Sequence, residues 1–132
     1  MDKQNLASFQ KIKKICQKTR KEMVEKYGKN LTGRCIEAAK KIRDELLNED
    51  IAAYTVEGWC EFEQDIGFTN TPFDPHTWTE VLLGSDFYYI DVTVDQFSYA
   101  MIEKIPPIII GEMPDYMSYV KPYFEEDEED LY

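Results

Sequence analysis

The apolar residues of this chain change their period once. From Leu6 to Leu46 they recur every three or four residues, and from Ile51 onward they tend to alternate with polar ones. The first spacing lines one face of a helix, and the second lines one face of a strand. The chain is therefore expected to be helical first and stranded afterwards. At 132 residues it has the length of one domain and can bury about two-thirds of its unfolded surface. Residues 1–124 are expected to form that domain, and residues 125–132 an acidic tail.

The first helix is expected from Asn5 to Tyr27. Leu6, Phe9, Ile12, Cys16, Met23 and Tyr27 form its apolar stripe, and Gly28 and Asn30 are stop signals. A second helix is expected from Thr32 or Gly33 to Asn48, with Thr32 as its N-cap. Cys35, Ala38, Ala39, Ile42 and Leu46 make its buried face. Strands are expected over Ile51–Cys60, His76–Leu83, Phe87–Val92 and, at a sheet edge because of its prolines, Pro106–Ile110. The stretch Glu61–Pro75 reads as a long loop, Asp95–Met101 as a short helical turn, and the chain from Gly111 as irregular.

Gly84-Ser85 suits a two-residue type II′ turn. That turn sets Leu83 opposite Asp86, Leu82 opposite Phe87 and Glu80 opposite Tyr89. His76, Trp78, Glu80 and Leu82 then share a face with Phe87, Tyr89, Asp91 and Thr93. Asp91 lies diagonally across from His76, within hydrogen-bond reach. A three-residue loop would slip the register by one and send Asp91 to the other face.

Charge and cysteine content narrow the classes of function. Residues 1–30 carry nine Lys/Arg and three Asp/Glu, whereas the whole chain has a formal net charge of −11. The acidic body disfavours nucleic-acid binding, which needs a basic face. The acidic run Glu125–Asp130 is either a solvated tail or a docking segment for a basic partner or the basic first helix. No stretch of about 18 apolar residues exists to cross a membrane. Three cysteines, Cys16, Cys35 and Cys60, are too few for a disulfide scaffold. The N-terminus has no apolar signal region, so a reducing cytoplasm is expected, with export by a dedicated machine left open. No cofactor is expected. A single histidine argues against a His-based zinc site, and the cysteines lack ligand spacing.

That histidine, His76, opens a strand after a Pro-containing loop, which puts it at a rim and not mid-core. Cys35 falls in the first turn of a helix, where free N–H groups and the dipole stabilise a thiolate. Asp91 sits on the strand next to His76. A cysteine nucleophile, a histidine base and an orienting carboxylate make a triad. Each residue also has a plain structural role open to it: Cys35 as a small buried hydrophobe, His76 as a strand-edge residue, Asp91 as a turn carboxylate.

The segments Gly33-Arg34-Cys35-Ile36-Glu37-Ala38-Ala39, His76-Thr77-Trp78-Thr79-Glu80-Val81 and Tyr89-Ile90-Asp91-Val92-Thr93-Val94-Asp95-Gln96-Phe97 resemble the transglutaminase-like, papain-fold superfamily, in particular its small bacterial toxin-like cysteine hydrolase domains. The likeness covers about residues 31–97. It implies an α+β fold, N-terminal helices packed on an antiparallel sheet with the Cys at a helix N-terminus, with Cys35 as nucleophile, His76 as general base and acid, and Asp91 as orienter. The implied chemistry is acyl transfer on a peptide or protein amide, as a protease, deamidase or transglutaminase. The Cys35 backbone N–H would hold the oxyanion. Trp78, Glu80, Gln96 and Gln64 are candidates for a second donor or a supporting role. Arg34, directly before Cys35, departs from the family wording. The competing reading is a catalytically silent protein on the same fold, of immunity or adaptor type, that docks a basic partner.

Overall fold

A computed structural model describes residues 3–64, 67–70, 75–95, 105–113 and 115–121. Two helices, α1 (Lys3–Tyr27) and α2 (Cys35–Asn48), precede six strands. The strands are β1 (Ala53–Gln64), β2 (Gly67–Asn70), β3 (His76–Leu83), β4 (Asp86–Asp91), β5 (Ile109–Ile110) and β6 (Met117–Val120). They form an antiparallel sheet in the order β2-β1-β3-β4-β5, with β6 paired to β1. The α+β architecture, helices packed on an antiparallel sheet, is as expected. The C-terminal acidic run, Gln96 and Phe97 lie outside the described residues.

The β3–β4 hairpin has the expected register, with Leu83 opposite Asp86 and Glu80 opposite Tyr89. Gly84 has φ +65 and Ser85 is not in the left-handed region, the pattern of a type II′ turn. A two-residue loop leaves the strands no freedom to slip, so the face carrying Asp91 is decided locally.

Elsewhere the elements differ from expectation. The stretch read as a loop from Glu61 is strand: β1 runs on to Gln64 and pairs with β2. The chain after Gly111 is not all irregular, because Met117–Val120 is a strand on β1. The β1–β2 ladder joins near neighbours, Gln64 opposite Gly67, in a stretch whose Gly67 and Asn70 read as loop, whereas the β1–β6 ladder joins segments far apart in sequence and has no local signal. The Pro106–Ile110 strand shrinks to Ile109–Ile110 but does lie at the end of the sheet. A 3₁₀ turn begins at Val94 and Asp95, and the rest of the expected turn falls outside the described residues. Thr32 is not the cap of α2. It donates to Asn30 Oδ1 at 2.6 Å, in a turn local to the interhelix loop, and Arg34 takes the cap position.

The core has two parts, one on each face of the sheet. On one face, Ile12, Cys16 and Met23 of α1 and Ala38, Ile42 and Leu46 of α2 pack on Ala53, Val81, Leu83 and Ile90. Full burial of each large aliphatic side chain stabilises the fold by about 1.5–3 kcal/mol. On the other face, Cys60, Trp78, Val94, Ile105, Ile109, Met117 and Tyr119 cluster together. The basic first helix finds its counter-charges on α2 and just beyond it. Lys11, Lys18 and Lys26 pair with Glu49, Glu45 and Glu37 at 3.2–3.3 Å. These pairs are exposed, and each is worth under about 1 kcal/mol.

Candidate active site

Three local devices put Cys35 at the first position of α2. Arg34 lays its guanidinium over the Tyr27 ring, 3.9 Å from its centre. Tyr27 Oη donates to Glu37 Oε1 at 2.6 Å. These contacts lock the end of α1 to the first turn of α2. Farther along, Thr79 Oγ1 donates to the Ala39 carbonyl at 3.0 Å and fastens α2 to β3. The α2 terminus is thereby held over the start of β3, where His76 stands.

His76 is fully buried, not at an exposed rim as its place at a strand start suggests. The reason is the second face of the sheet: the Tyr119 and Trp78 rings stack beside the imidazole, at 6.4 and 6.1 Å between centres. Nε2 of His76 lies 2.6 Å from Asp91 Oδ2. The Cys35 thiol lies close enough to the same ring for the two groups to shift each other's pKa. The Thr77 backbone N–H also points to the Cys35 sulfur.

The Asp91 carboxylate is only 3% exposed and is satisfied on both oxygens. Besides His76, Oδ2 accepts from Tyr119 Oη at 2.8 Å. Oδ1 accepts from the Thr93 N–H at 3.0 Å and from Thr93 Oγ1 at 3.3 Å. A buried carboxylate needs such partners, because an unpaired one would cost several kcal/mol. The segment after Asp91 is held from outside by Arg20 of α1. Its guanidinium donates to the Val92 carbonyl at 2.9 Å and to both Asp95 oxygens at 2.8 and 2.9 Å.

These contacts set the charge state. Burial opposes a charged His76 ring, but the Asp91 charge and hydrogen bond, helped by Cys35, raise its pKa from 6.5 to about 10. Burial likewise pushes the Cys35 thiol up. The hydrogen bond and charge of His76, with the Thr77 N–H, outweigh it and hold Cys35 below its ordinary 9.0. Both shifts favour the thiolate–imidazolium pair over the neutral thiol and imidazole. The other thiols behave oppositely. Burial, then the Asp91 charge, pushes Cys16 up to about 12, and the same two causes in the same order raise Cys60. Cys35 is 8% exposed, whereas Cys16 and Cys60 are fully enclosed.

The chain matches no family model, no curated protein and no solved structure among those compared. The site must therefore be read from its own geometry.

Cys35, His76 and Asp91, far apart in sequence, are brought together. Trp78 and Glu80 lie near them but face each other: Trp78 Nε1 donates to Glu80 Oε2 at 3.0 Å. The only N–H of the indole is thus committed to Glu80. Glu80 Oε1 in turn accepts from Lys121 Nζ at 3.1 Å. Gln96 is outside the described residues, and no side-chain position is described for Gln64. Among the described residues no group of three or more His, Cys, Asp or Glu is arranged to hold a metal ion.

Sequence reasoning missed Tyr119, Thr93 and Thr77. Thr93 had a usable signal, since an Asp commonly accepts from the backbone two residues on. Thr77 acts through its backbone and carries no signal of type. Tyr119 reaches Asp91 only because β6 crosses near the start of β3. That crossing depends on Gly58. A Cβ there would collide with the Val120 carbonyl and stand 2.9 Å from the Trp78 ring.

Proposed function

We propose that this chain is a cysteine-dependent acyl-transfer enzyme of the transglutaminase-like, papain-fold type, acting on an amide in a peptide or protein. The observation that carries the reading is the relay Cys35–His76–Asp91. A thiol whose pKa is lowered by the neighbouring imidazole stands beside a ring whose Nε2 is 2.6 Å from a buried carboxylate. The helix-on-sheet arrangement and the Cys, His, Asp order support the same family.

The chemistry follows from the charge state. The Cys35 thiolate adds to the amide carbonyl carbon, forming a C–S bond and a tetrahedral oxyanion. The Cys35 backbone N–H, at the start of α2 and outside the helical ladder, is a donor for that oxygen. Imidazolium His76 gives its proton to the amide nitrogen as the C–N bond breaks, leaving a thioester. Water or an amine then adds to the thioester while His76 takes its proton. The C–S bond breaks and the thiolate–imidazolium pair returns. Asp91 stays ionised throughout and holds the ring in place. Thr93 and Tyr119 are positioning residues for Asp91.

Iodoacetamide labelling of the native chain tests the reading. Cys35 should label well before Cys16 and Cys60, with a rate–pH midpoint below 9.0, and Asp91→Asn should slow it. Equal, slow labelling of all three cysteines overturns it. Release of ammonia or an amine from glutamine-containing peptides, abolished by Cys35→Ala, would then separate deamidation and transamidation from proteolysis.

A further inference from the structure

On the face of the sheet away from the helices, the strand register builds a row of three side chains. Tyr54 of β1 stands opposite Glu80 of β3, and Glu80 stands opposite Tyr89 of β4. Phe87 of β4 adds a third ring, 6.2 Å from Tyr54 between centres. Tyr54 is 50% exposed and Phe87 58%. An exposed aromatic ring gains nothing from water. With Val56 and Lys121 these residues line an open groove of about 370 Å³. Its carboxylate, Glu80, is 4% exposed and rigidly placed, because Trp78 Nε1 holds Oε2. The other oxygen already carries a cation, the ammonium of Lys121, whose side chain is half-exposed. Aromatic faces around a carboxylate attract organic cations, by ring quadrupole and charge together.

We propose that this groove binds the cationic side chain, lysine or arginine, of a partner polypeptide, which displaces Lys121 from Glu80. The chain's own lysine is the internal competitor for that place. Its half-exposed stem is free to swing into water, where an ammonium is well solvated. The rings take the alkyl stem of the incoming side chain, and Glu80 takes its charge. Cys35 does not line this groove, and binding there does not depend on the acyl-transfer chemistry.

The test is a titration of the full ¹⁵N-labelled chain with Nα-acetyl-lysine methylamide, followed by amide shifts. Shifts should centre on Tyr54, Glu80, Phe87 and Tyr89. Lys121→Met removes the competitor and should tighten binding about ten-fold. On that background, Glu80→Gln should weaken binding about ten-fold or more. The surface change Phe87→Ser, which leaves the core intact, should weaken it several-fold. Cys35→Ala should leave it unchanged. Equal affinity in wild type and Lys121→Met overturns the proposal. So does equal binding of the uncharged Nα-acetyl-norleucine methylamide, which would make the groove merely apolar.

Discussion

Replacing Cys35 with alanine should change how stability depends on pH, and the change can be worked from proton counts. In the folded wild type, His76 keeps its proton up to about 10 and Cys35 is a thiolate above its lowered pKa. The folded pair then holds one proton. In the unfolded chain, with ordinary values of 6.5 for His and 9.0 for Cys, the pair also holds one proton between those values. It sits on sulfur instead of nitrogen. Equal counts mean no slope, because stability changes with pH only where the two states bind different numbers of protons.

Cys35→Ala removes the compensating thiol. The folded state still holds a proton on His76, because Asp91 remains 2.6 Å away. The unfolded state above pH 6.5 holds none. A group whose folded pKa is raised contributes stability that is complete below 6.5 and is lost as pH rises through its folded value. The variant should therefore lose about 1.4 kcal/mol per pH unit above 6.5, flattening where its own His76 deprotonates. Urea melts at about pH 6.5, 7.5 and 8.5, with unchanged m-values, check this. Wild type should run flat from the lowered Cys35 value up to 9.0. Cys16 and Cys60 do not interfere below 9.0, since both stay protonated in both states. A Cys35→Ala profile as flat as the wild type's would show that folded His76 carries no proton, and the ion pair would be refuted.

Three further substitutions probe what holds the site. Tyr119→Phe keeps the ring stack but removes one hydrogen bond to the Asp91 carboxylate; urea denaturation should show a loss of about 1.5–3 kcal/mol, together with slower alkylation of Cys35. Gly58→Ala drives a methyl group into the Val120 carbonyl, so β6 must shift; a loss of about 1–3 kcal/mol and altered near-UV dichroism from Trp78 and Tyr119 are expected, and an unperturbed spectrum would refute the close approach. Arg20→Lys cannot bond both Asp95 oxygens and the Val92 carbonyl together, so a cost of about 1–2 kcal/mol is expected, read by thermal melting.

The hairpin and the relay differ in how far they could be read in advance. Gly84-Ser85 is a two-residue turn, and a two-residue turn admits one register, so Asp91 fell on the His76 face by local geometry alone. The apolar face of α2 from Cys35 to Leu46 was likewise legible, because a 3.6-residue period needs no knowledge of what it packs against. The start of α2 was not. Its cap passed from Thr32 to Arg34 because Tyr27, on the preceding helix, supplied a ring for Arg34 to cover.

By itself, then, the order of residues determined the helices, the β3–β4 hairpin, and a cysteine, a histidine and an aspartate set on elements able to meet. These follow from interactions between near neighbours, where the cost of closing a loop is small. Only the tertiary structure decided that β6 returns across β1, that Gly58 makes room for it, and that Tyr119 thereby caps Asp91 and seals His76 from water. Those contacts join residues 28 to 62 positions apart. Burial alone would lower the imidazole and raise the thiol; Asp91 acting on His76, and His76 acting on Cys35, reverse both, and that is a property of the assembled core and of no segment within it.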